Sequence, residues 1–303
     1  MFDLLSSLLH LLALAAFVRI FLPPRYVLLN PFAMWADRLF DKLLSALASA
    51  LPLSARALSA LVLGMALCAR AALLTRGGPP VLGIGAYAVL GFGVRSFAGW
   101  LGVAVLHFLC LWWAVVTATF VLRLLHLGRA LPGYAGDLLQ LVARPVPKLA
   151  LWAQGLLIFG GWVAVLAVAL PLSSQVVYPL AALEQVRDLA QQLGGVNLFD
   201  FGALAYPLRL LFLAGVAMLN VLSVLQSYLF LVIIMGMVAG AMHFKSVSFL
   251  MQDLSKLLTG AVPPVMLGRY NLAPILAWVL YALLATVIGG VWLVLIRVVA
   301  YVV

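Results

Sequence analysis

Long apolar runs alternate along this chain with shorter stretches in which polar residues recur at helical spacing. A helix needs about 20 mostly apolar residues to cross a bilayer. Segments of that length lie at residues 3–22, 54–74, 98–125, 149–170, 219–243 and 273–299. Two of them belong to longer runs, 81–125 and 204–243, which we expect to tilt, to kink or to begin in the membrane interface. The pattern predicts an all-α, polytopic transmembrane protein with about six spans.

Amphipathic stretches, which we call the arms, separate paired spans at residues 30–52, 129–148 and 246–264. At about 100° per residue, the polar side chains of the first arm gather on one face and its leucines on the other. Asn30 is placed to cap this helix and Pro31 to occupy its first turn. The third arm divides in the same way, whereas Pro145 and Pro147 interrupt the middle arm. We expect the arms to lie in the membrane plane.

The polar faces of the outer arms mix acidic with basic residues, namely Asp37, Arg38, Asp41, Lys42, Asp253 and Lys256. Attraction to anionic lipid would favour basic residues alone, each contributing about 1 kcal/mol near the surface. Interspersed acids suit a protein partner better. We hypothesise that these residues are the contacts of a docking platform. The alternative is a solvated face that only keeps the arms from sinking into the bilayer.

Span, arm and span follow one another three times, which predicts a single membrane domain over residues 1–303 with internal repeats. The repeat-like units cover residues 1–74, 81–170 and 204–299. The segment between the last two units, 171–203, is the least apolar part of the chain. It is predicted to be an extramembrane surface segment with a helix that ends at Gly194.

Composition agrees with a lipid environment. Hydrophobic residues make up 67% of the 303 residues and charged residues only 9%, against about 25% in soluble domains. The net charge of +10 arises from 18 basic and 8 acidic residues. Because the basic residues stand singly, mostly at the ends of apolar runs, they indicate membrane topology and lipid headgroups, with no nucleic-acid partner.

The distribution of Lys and Arg predicts an orientation. Twelve of these residues fall on the side of the arms and six on the other side. The positive-inside rule then places the arms in the cytoplasm and both termini outside. We expect a multi-pass protein of the bacterial inner membrane.

Two segments resemble the YggT family, called YlmG in plastids, whose members carry two copies of an amphipathic stretch followed by a span. The first copy is residues 30–67, which begins with Asn-Pro, and the second is residues 246–284. "DKLLSA" at 41–46 and "SKLLTG" at 255–260 match each other, and "NLAP" at 271–274 is similar to the family's entry into the following span. The resemblance implies a role in membrane organisation, division, osmotic tolerance or cofactor assembly on membrane cytochromes, without an established enzymatic activity.

No sequence motif points to an enzyme. The chain has no P-loop, HExxH, GxSxG or Rossmann fingerprint. None of the eight carboxylates falls in the middle of a predicted span, which argues against the commonest proton-coupled transport mechanisms. Cys68 and Cys110 have no CxxC spacing and are interpreted as small buried apolar residues.

Polar residues inside the apolar runs leave two interpretations open. Asn220 and Gln226 either line a polar path or hydrogen-bond between helices.

His126 and His243 end long helices and either approach each other at one membrane face or only share helix-end geometry. Arginines near span ends can extend their charge to the interface: Arg19, Arg95, Arg209 and Arg297. We expect no haem, metal or nucleotide cofactor to be bound by this chain alone.

These observations favour a non-enzymatic membrane protein that acts as a scaffold or assembly factor for other membrane components. A first alternative is a small channel or transporter with a path through helices 98–125 and 219–243. A second is an intrinsic accessory subunit of a larger membrane complex.

Overall fold

The fold consists mainly of long helices. The computed structural model describes residues 2–21, 26, 29–34, 38, 53–76, 81–84, 88–144, 146, 149–177, 205–260, 262–267 and 270–302. Within them the helices are α1 Phe2–Phe21, α2 Ala55–Leu74, α3 Phe97–Leu125, α4 Gly133–Val142, α5 Leu151–Leu172, α6 Tyr206–Ala241, α7 Lys245–Thr259 and α8 Ala273–Val302. The strands are β1 Val81–Ile84, β2 Ala88–Gly91, β3 Gln175–Val177, β4 Met266–Leu267 and β5 Tyr270–Asn271.

Five helices are long and apolar enough to cross a membrane: α2, α3, α5, α6 and α8, with mean hydropathies of 2.0 to 2.3. The apolar part of α1, Leu5–Phe21, is shorter. The prediction of an all-α polytopic membrane protein is therefore confirmed. Three pairs of helices pack within the predicted units: α1 against α2, α3 against α5, and α6 against α8.

Local sequence explains where the spans begin and end. Ser54 caps α2 by accepting a hydrogen bond from the backbone N–H of Ala57 at 3.3 Å. Ser96 caps α3 in the same way through Gly99, at 3.2 Å. The other end of α3 is closed by Gly128, which has a φ of +77° and donates its N–H to the Arg123 carbonyl at 2.7 Å. This left-handed glycine turn stops the helix and directs the chain into α4.

The two long apolar runs differ from each other in structure. The run from residue 81 divides into the antiparallel hairpin β1–β2 and helix α3, and β3 pairs antiparallel with β2 as the third strand. This sheet was not predicted. The glycines and β-branched residues before α3 form strands, where the sequence analysis expected the start of a helix. The second run forms one unbroken helix, α6, of 36 residues, about 54 Å long. Helix α6 begins at Tyr206, before the predicted span start at residue 219, and Phe212, Leu213 and Ala214 already pack in the core.

The two ends of the helix bundle are built differently. We call the end that carries α4 and α7 the arm end, because α4 connects the end of α3 to the start of α5. The opposite end is the sheet end, because β2 leads into α3 and β3 follows α5. One core cluster joins α3, α5 and α6 beside the sheet, and a second joins α3, α4, α6, α7 and α8 at the arms.

A tryptophan packs against a glycine of the partner helix in both the second and the third unit. Trp113 of α3 lies where a Cβ at Gly161 of α5 would be, and its indole N–H donates to the Ile158 carbonyl at 3.0 Å. Trp292 of α8 lies in the same way on Gly215 of α6 and donates to the Phe212 carbonyl at 3.2 Å. In both pairs the acceptor lies three residues before the glycine. Glycine permits the close approach, and the carbonyl satisfies the N–H of the half-buried indole.

Candidate functional site

The first turn of α4, which belongs to the middle arm, joins the other two arms. On the side of the first arm, Asn30 is buried, with 2% of its surface exposed. Its Oδ1 accepts hydrogen bonds from the backbone N–H groups of Phe32 and Ala33 at 3.0 and 3.2 Å, which confirms the predicted cap. Its Nδ2 donates to the carbonyl oxygen of Tyr134 in α4 at 2.7 Å. One side chain thus starts the first arm and fixes it to the second.

Asp253 of α7 makes the corresponding contact from the third arm. Its Oδ2 accepts a hydrogen bond from the backbone N–H of Ala135 at 2.9 Å. The N-cap position of α4 is Pro132, which provides no side-chain cap of its own. The Asp253 carboxylate therefore caps α4 from another helix, where its negative charge also suits the helix dipole. Gly133, at φ +75°, makes room for it, since a Cβ there would overlap the carboxylate.

This contact corrects one part of the docking hypothesis. Asp253 was predicted to face water as a docking contact, but it is 9% exposed and bonded within the chain. The periodicity of α7 placed it correctly on the polar face; what periodicity does not show is that α4 covers that part of the face. Lys256 and Arg38 are exposed, as predicted. Asp37, Asp41 and Lys42 lie outside the described residues.

The C-terminal end of α7 is held by two side chains from the spans. The Nε2 of His126 donates to the Leu257 carbonyl at 3.0 Å, and the Tyr281 hydroxyl donates to the Leu258 carbonyl at 2.5 Å. His126 therefore serves the arm and not a histidine pair. His243 is exposed, in the turn between α6 and α7, with a φ of +55°. We call α4, α7 and the described start of the first arm, residues 30–34, the arm layer.

A cluster of ionisable side chains occupies the sheet end, with Arg70 and His107 buried and His10 half-buried, and sequence reasoning did not find it. Arg70, four residues before the end of α2, is 6% exposed. Its Nε donates to the Ser6 hydroxyl at 3.1 Å, its Nη1 to His10 Nε2, and its Nη2 to His107 Nδ1 at 2.9 Å. The two imidazole centroids are 6.2 Å apart. Helices α1, α2 and α3 thus meet around one guanidinium.

The hydrogen bonds fix the protonation of both histidines. A guanidinium can only donate, so His10 Nε2 and His107 Nδ1 must both be acceptors and both rings must be neutral. The proton of His107 then resides on Nε2, which is buried and has no hydrogen-bond partner. All the partners that the structure gives Arg70 are neutral, so its positive charge has no counter-charge among the described side chains.

The sequence contains only a weak signal for this cluster. Ser6 and His10 are four residues apart, so they share one face of α1. Arg70 interrupts an apolar span, but it was not among the arginines considered in the sequence analysis. His10 and His107 converge, whereas the sequence analysis considered only His126 and His243. No alternation or spacing pairs side chains that are 37 and 60 residues apart.

The predicted intramembrane polar residues lie elsewhere. Asn220 and Gln226 are half-buried on α6. Because α6 begins at Tyr206, Asn220 lies 14 residues into the helix, about 21 Å from its start. Among the described residues no group of three or more His, Cys, Asp or Glu side chains has metal-site geometry.

An apolar cavity of about 370 Å³ lies between α1, α3 and α4 near the arm end. Phe17 and Trp112 form part of its wall, with ring centroids 5.3 Å apart, and Arg144 is the charged residue at its edge. The volume falls within the range of small-molecule sites, about 300–1,000 Å³. It is separate from the Arg70 cluster, which lies toward the other end of α1 and α3.

Comparison with known proteins adds no assignment: no protein-family model matches the chain, and searches of curated proteins and of solved structures gave no match. The resemblance to the YggT family therefore stays a prediction.

Proposed function

We propose that this is a non-enzymatic integral membrane protein that acts as a scaffold or assembly factor, with the arm layer as its docking surface. The observation that carries the proposal is the joining of the three arms at Tyr134 and Ala135 by the buried side chains of Asn30 and Asp253. These links hold the three arms in one layer. A fixed layer presents its exposed side chains in a constant arrangement, which lowers the entropy cost of binding a partner.

The charges of the arm layer indicate the chemistry of the partner. With Asp253 buried, the exposed charges described on and beside this layer are basic apart from Asp137; they are Arg38, Arg129, Arg144, Lys245 and Lys256. Tyr134 and Phe249 add exposed aromatic surface, with ring centroids 6.2 Å apart. Basic residues alone would also suit anionic lipid, but exposed aromatic residues beside arginines are typical of protein interfaces. We therefore expect a membrane-protein partner with an acidic face.

The YggT-like segments, residues 30–67 and 246–284, are consistent with this role. In the proposal the protein resides in a bacterial inner membrane with the arms on the cytoplasmic side. Because the spans already hold the arms at the membrane, attraction of the basic residues to lipid is not needed for anchoring.

The test is charge reversal at the arm layer. The double variant Arg38→Glu/Lys256→Glu changes two exposed side chains and should insert and fold normally. The control Arg76→Glu/Arg95→Glu makes the same change in charge at two exposed sites of the sheet end. Each chain is purified under mild conditions after crosslinking in cells, and the attached proteins are compared.

We expect the arm variant to lose partners that the wild-type chain and the control retain. A partner present in fixed stoichiometry would identify the chain as an accessory subunit. If the arm variant keeps every partner of the wild-type chain, the arm layer is not a docking surface.

A further inference from the structure

We infer that Arg70, His10 and His107 form a buried binding site for an oxyanion, either a phosphate or a carboxylate group. The site lies between α1, α2 and α3 toward the sheet end. It does not depend on the scaffold role, because the arm layer occupies the other end of the bundle.

The first argument is the number of unused donors. Arginine has five N–H groups, and Arg70 directs one each to Ser6, His10 and His107. One N–H on each terminal nitrogen remains. His107 adds the buried Nε2–H that has no partner. Buried donors are normally satisfied, so this excess of donors calls for an acceptor-rich ligand.

The second argument is charge. A buried cation is expensive unless an anion accompanies it, and the described partners of Arg70 are a hydroxyl and two neutral imidazoles. A guanidinium prefers planar, bidentate oxyanions, which accept two parallel hydrogen bonds. Phosphate and carboxylate groups share that geometry, whereas a spherical halide does not.

The third argument is enclosure. Phe92, which follows β2, is fully buried, and its ring centroid lies 6.2 Å from that of His107. His107 itself is 7% exposed. The sheet end therefore closes over the His107 side of the cluster, while Ser6 and His10 on α1 are half-buried. In such surroundings a charge-assisted hydrogen bond is stronger than at an open surface.

Asp3 offers the competing explanation, and the experiment has to distinguish it. Asp3 stands in α1 three residues before Ser6, so helical spacing puts both residues on one face; its side chain is outside the described residues. An Asp3 carboxylate paired with Arg70 would supply the anion internally. The variant Asp3→Asn separates an internal anion from a bound one.

The experiment measures the unfolding temperature of the full chain in an uncharged detergent, followed by tryptophan fluorescence. Inorganic phosphate and acetate are titrated at constant ionic strength set with chloride, so that only oxyanions vary. A parallel series uses bilayer discs of neutral lipid with increasing phosphatidylglycerol, which separates a lipid headgroup from a free anion. The unfolding temperature should rise with the logarithm of the concentration of an anion that binds the folded state.

Three variants connect any response to the cluster. Arg70→Gln should lower the affinity for the oxyanion by at least about tenfold, the equivalent of one charge-assisted hydrogen bond. His107→Asn retains an acceptor near the Nδ1 position but removes the Nε2–H, so it should weaken binding and still fold. Arg95→Gln, an exposed arginine of the same end, should respond like the wild-type chain.

The outcomes are distinct. A response to phosphate, acetate or phosphatidylglycerol that Arg70→Gln and His107→Asn weaken supports the site and names the source of the anion. The proposal is overturned if no oxyanion stabilises the wild-type chain, or if both cluster variants respond as it does. It is also overturned if only Asp3→Asn responds, because Asp3 then fills the site.

Discussion

Asp253 at the arm end and Arg70 at the sheet end are both buried charged residues, 9% and 6% exposed, yet their surroundings differ in kind. Asp253 meets a backbone N–H at the start of a helix that has no other cap. Arg70 meets neutral side chains, and the cluster around it keeps unused donors. A buried charge satisfied by backbone serves the fold, whereas a buried charge without a described counter-charge indicates a ligand. Substitutions at Asp253, Gly133, Asn30 and Arg70 test this contrast.

Replacing Asp253 should have the largest effect. Asp253→Ala leaves the buried Ala135 N–H without an acceptor and α4 without a cap. We expect the free energy of unfolding to fall by about 2–3 kcal/mol, measured by reversible unfolding in mixed detergent micelles. Lys256→Ala, on an exposed side chain of the same helix, should change it by less than about 0.5 kcal/mol. Equal effects of the two substitutions would show that the cap contributes nothing.

Gly133→Ala tests the same contact from the other side. Alanine at a φ of +75° is strained, and its Cβ would displace the Asp253 carboxylate. We expect a loss of about 1–2 kcal/mol. In the double variant with Asp253→Ala the two losses should add only in part, because both break one contact while the backbone strain at residue 133 remains. Full additivity would contradict the geometry.

Asn30→Ala should cost about 1 kcal/mol through loss of the N-cap. Asn30→Asp separates the two roles of the side chain. The carboxylate still accepts from the N–H groups of Phe32 and Ala33, but it cannot donate to the Tyr134 carbonyl. Hydrogen exchange of α4 should therefore increase in both variants, while the start of the first arm stays protected only in Asn30→Asp.

Arg70→Met should have the smallest effect if the contrast is correct. An apolar side chain of similar length removes a buried charge that has no described anion, and this gain offsets the loss of the hydrogen bonds to Ser6, His10 and His107. Stability without added oxyanion should therefore change by less than about 1 kcal/mol. The free energy of unfolding is measured as for Asp253→Ala. A loss of about 3–5 kcal/mol would instead be that of a broken buried ion pair, and would indicate a carboxylate beside Arg70.

The sequence predicted those features that depend on local pattern. The bounds of α2 follow from the apolar run predicted as a span at residues 54–74, and the Asn30 cap follows from a polar residue before a proline and an apolar run. The start of α6 was missed because an apolar run does not reveal how much of a helix is surrounded by protein and how much by lipid. The sheet was missed because its third strand is more than 80 residues from its partner.

The candidate sites depend on contacts between distant segments, and here periodicity is insufficient. It identified the polar face of α7 but not the helix that covers it, so Asp253 was placed at the surface. The Arg70 cluster requires that α1, α2 and α3 pack in one particular rotation about their axes. A single sequence does not specify those rotations, although Ser6 and His10 at i and i+4 define one side of the cluster.

The link from Asp253 to Ala135 also sets an order on biogenesis. Its two residues are 118 positions apart, and Asn30 and Tyr134 are 104 apart. At about 5–20 residues per second, the ribosome completes Asp253 roughly 6–24 s after Ala135. During that interval α4 can already hold the first arm but has no cap. The arm layer is therefore finished only when the third unit emerges, so a chain interrupted before α7 would leave it incomplete at the membrane surface.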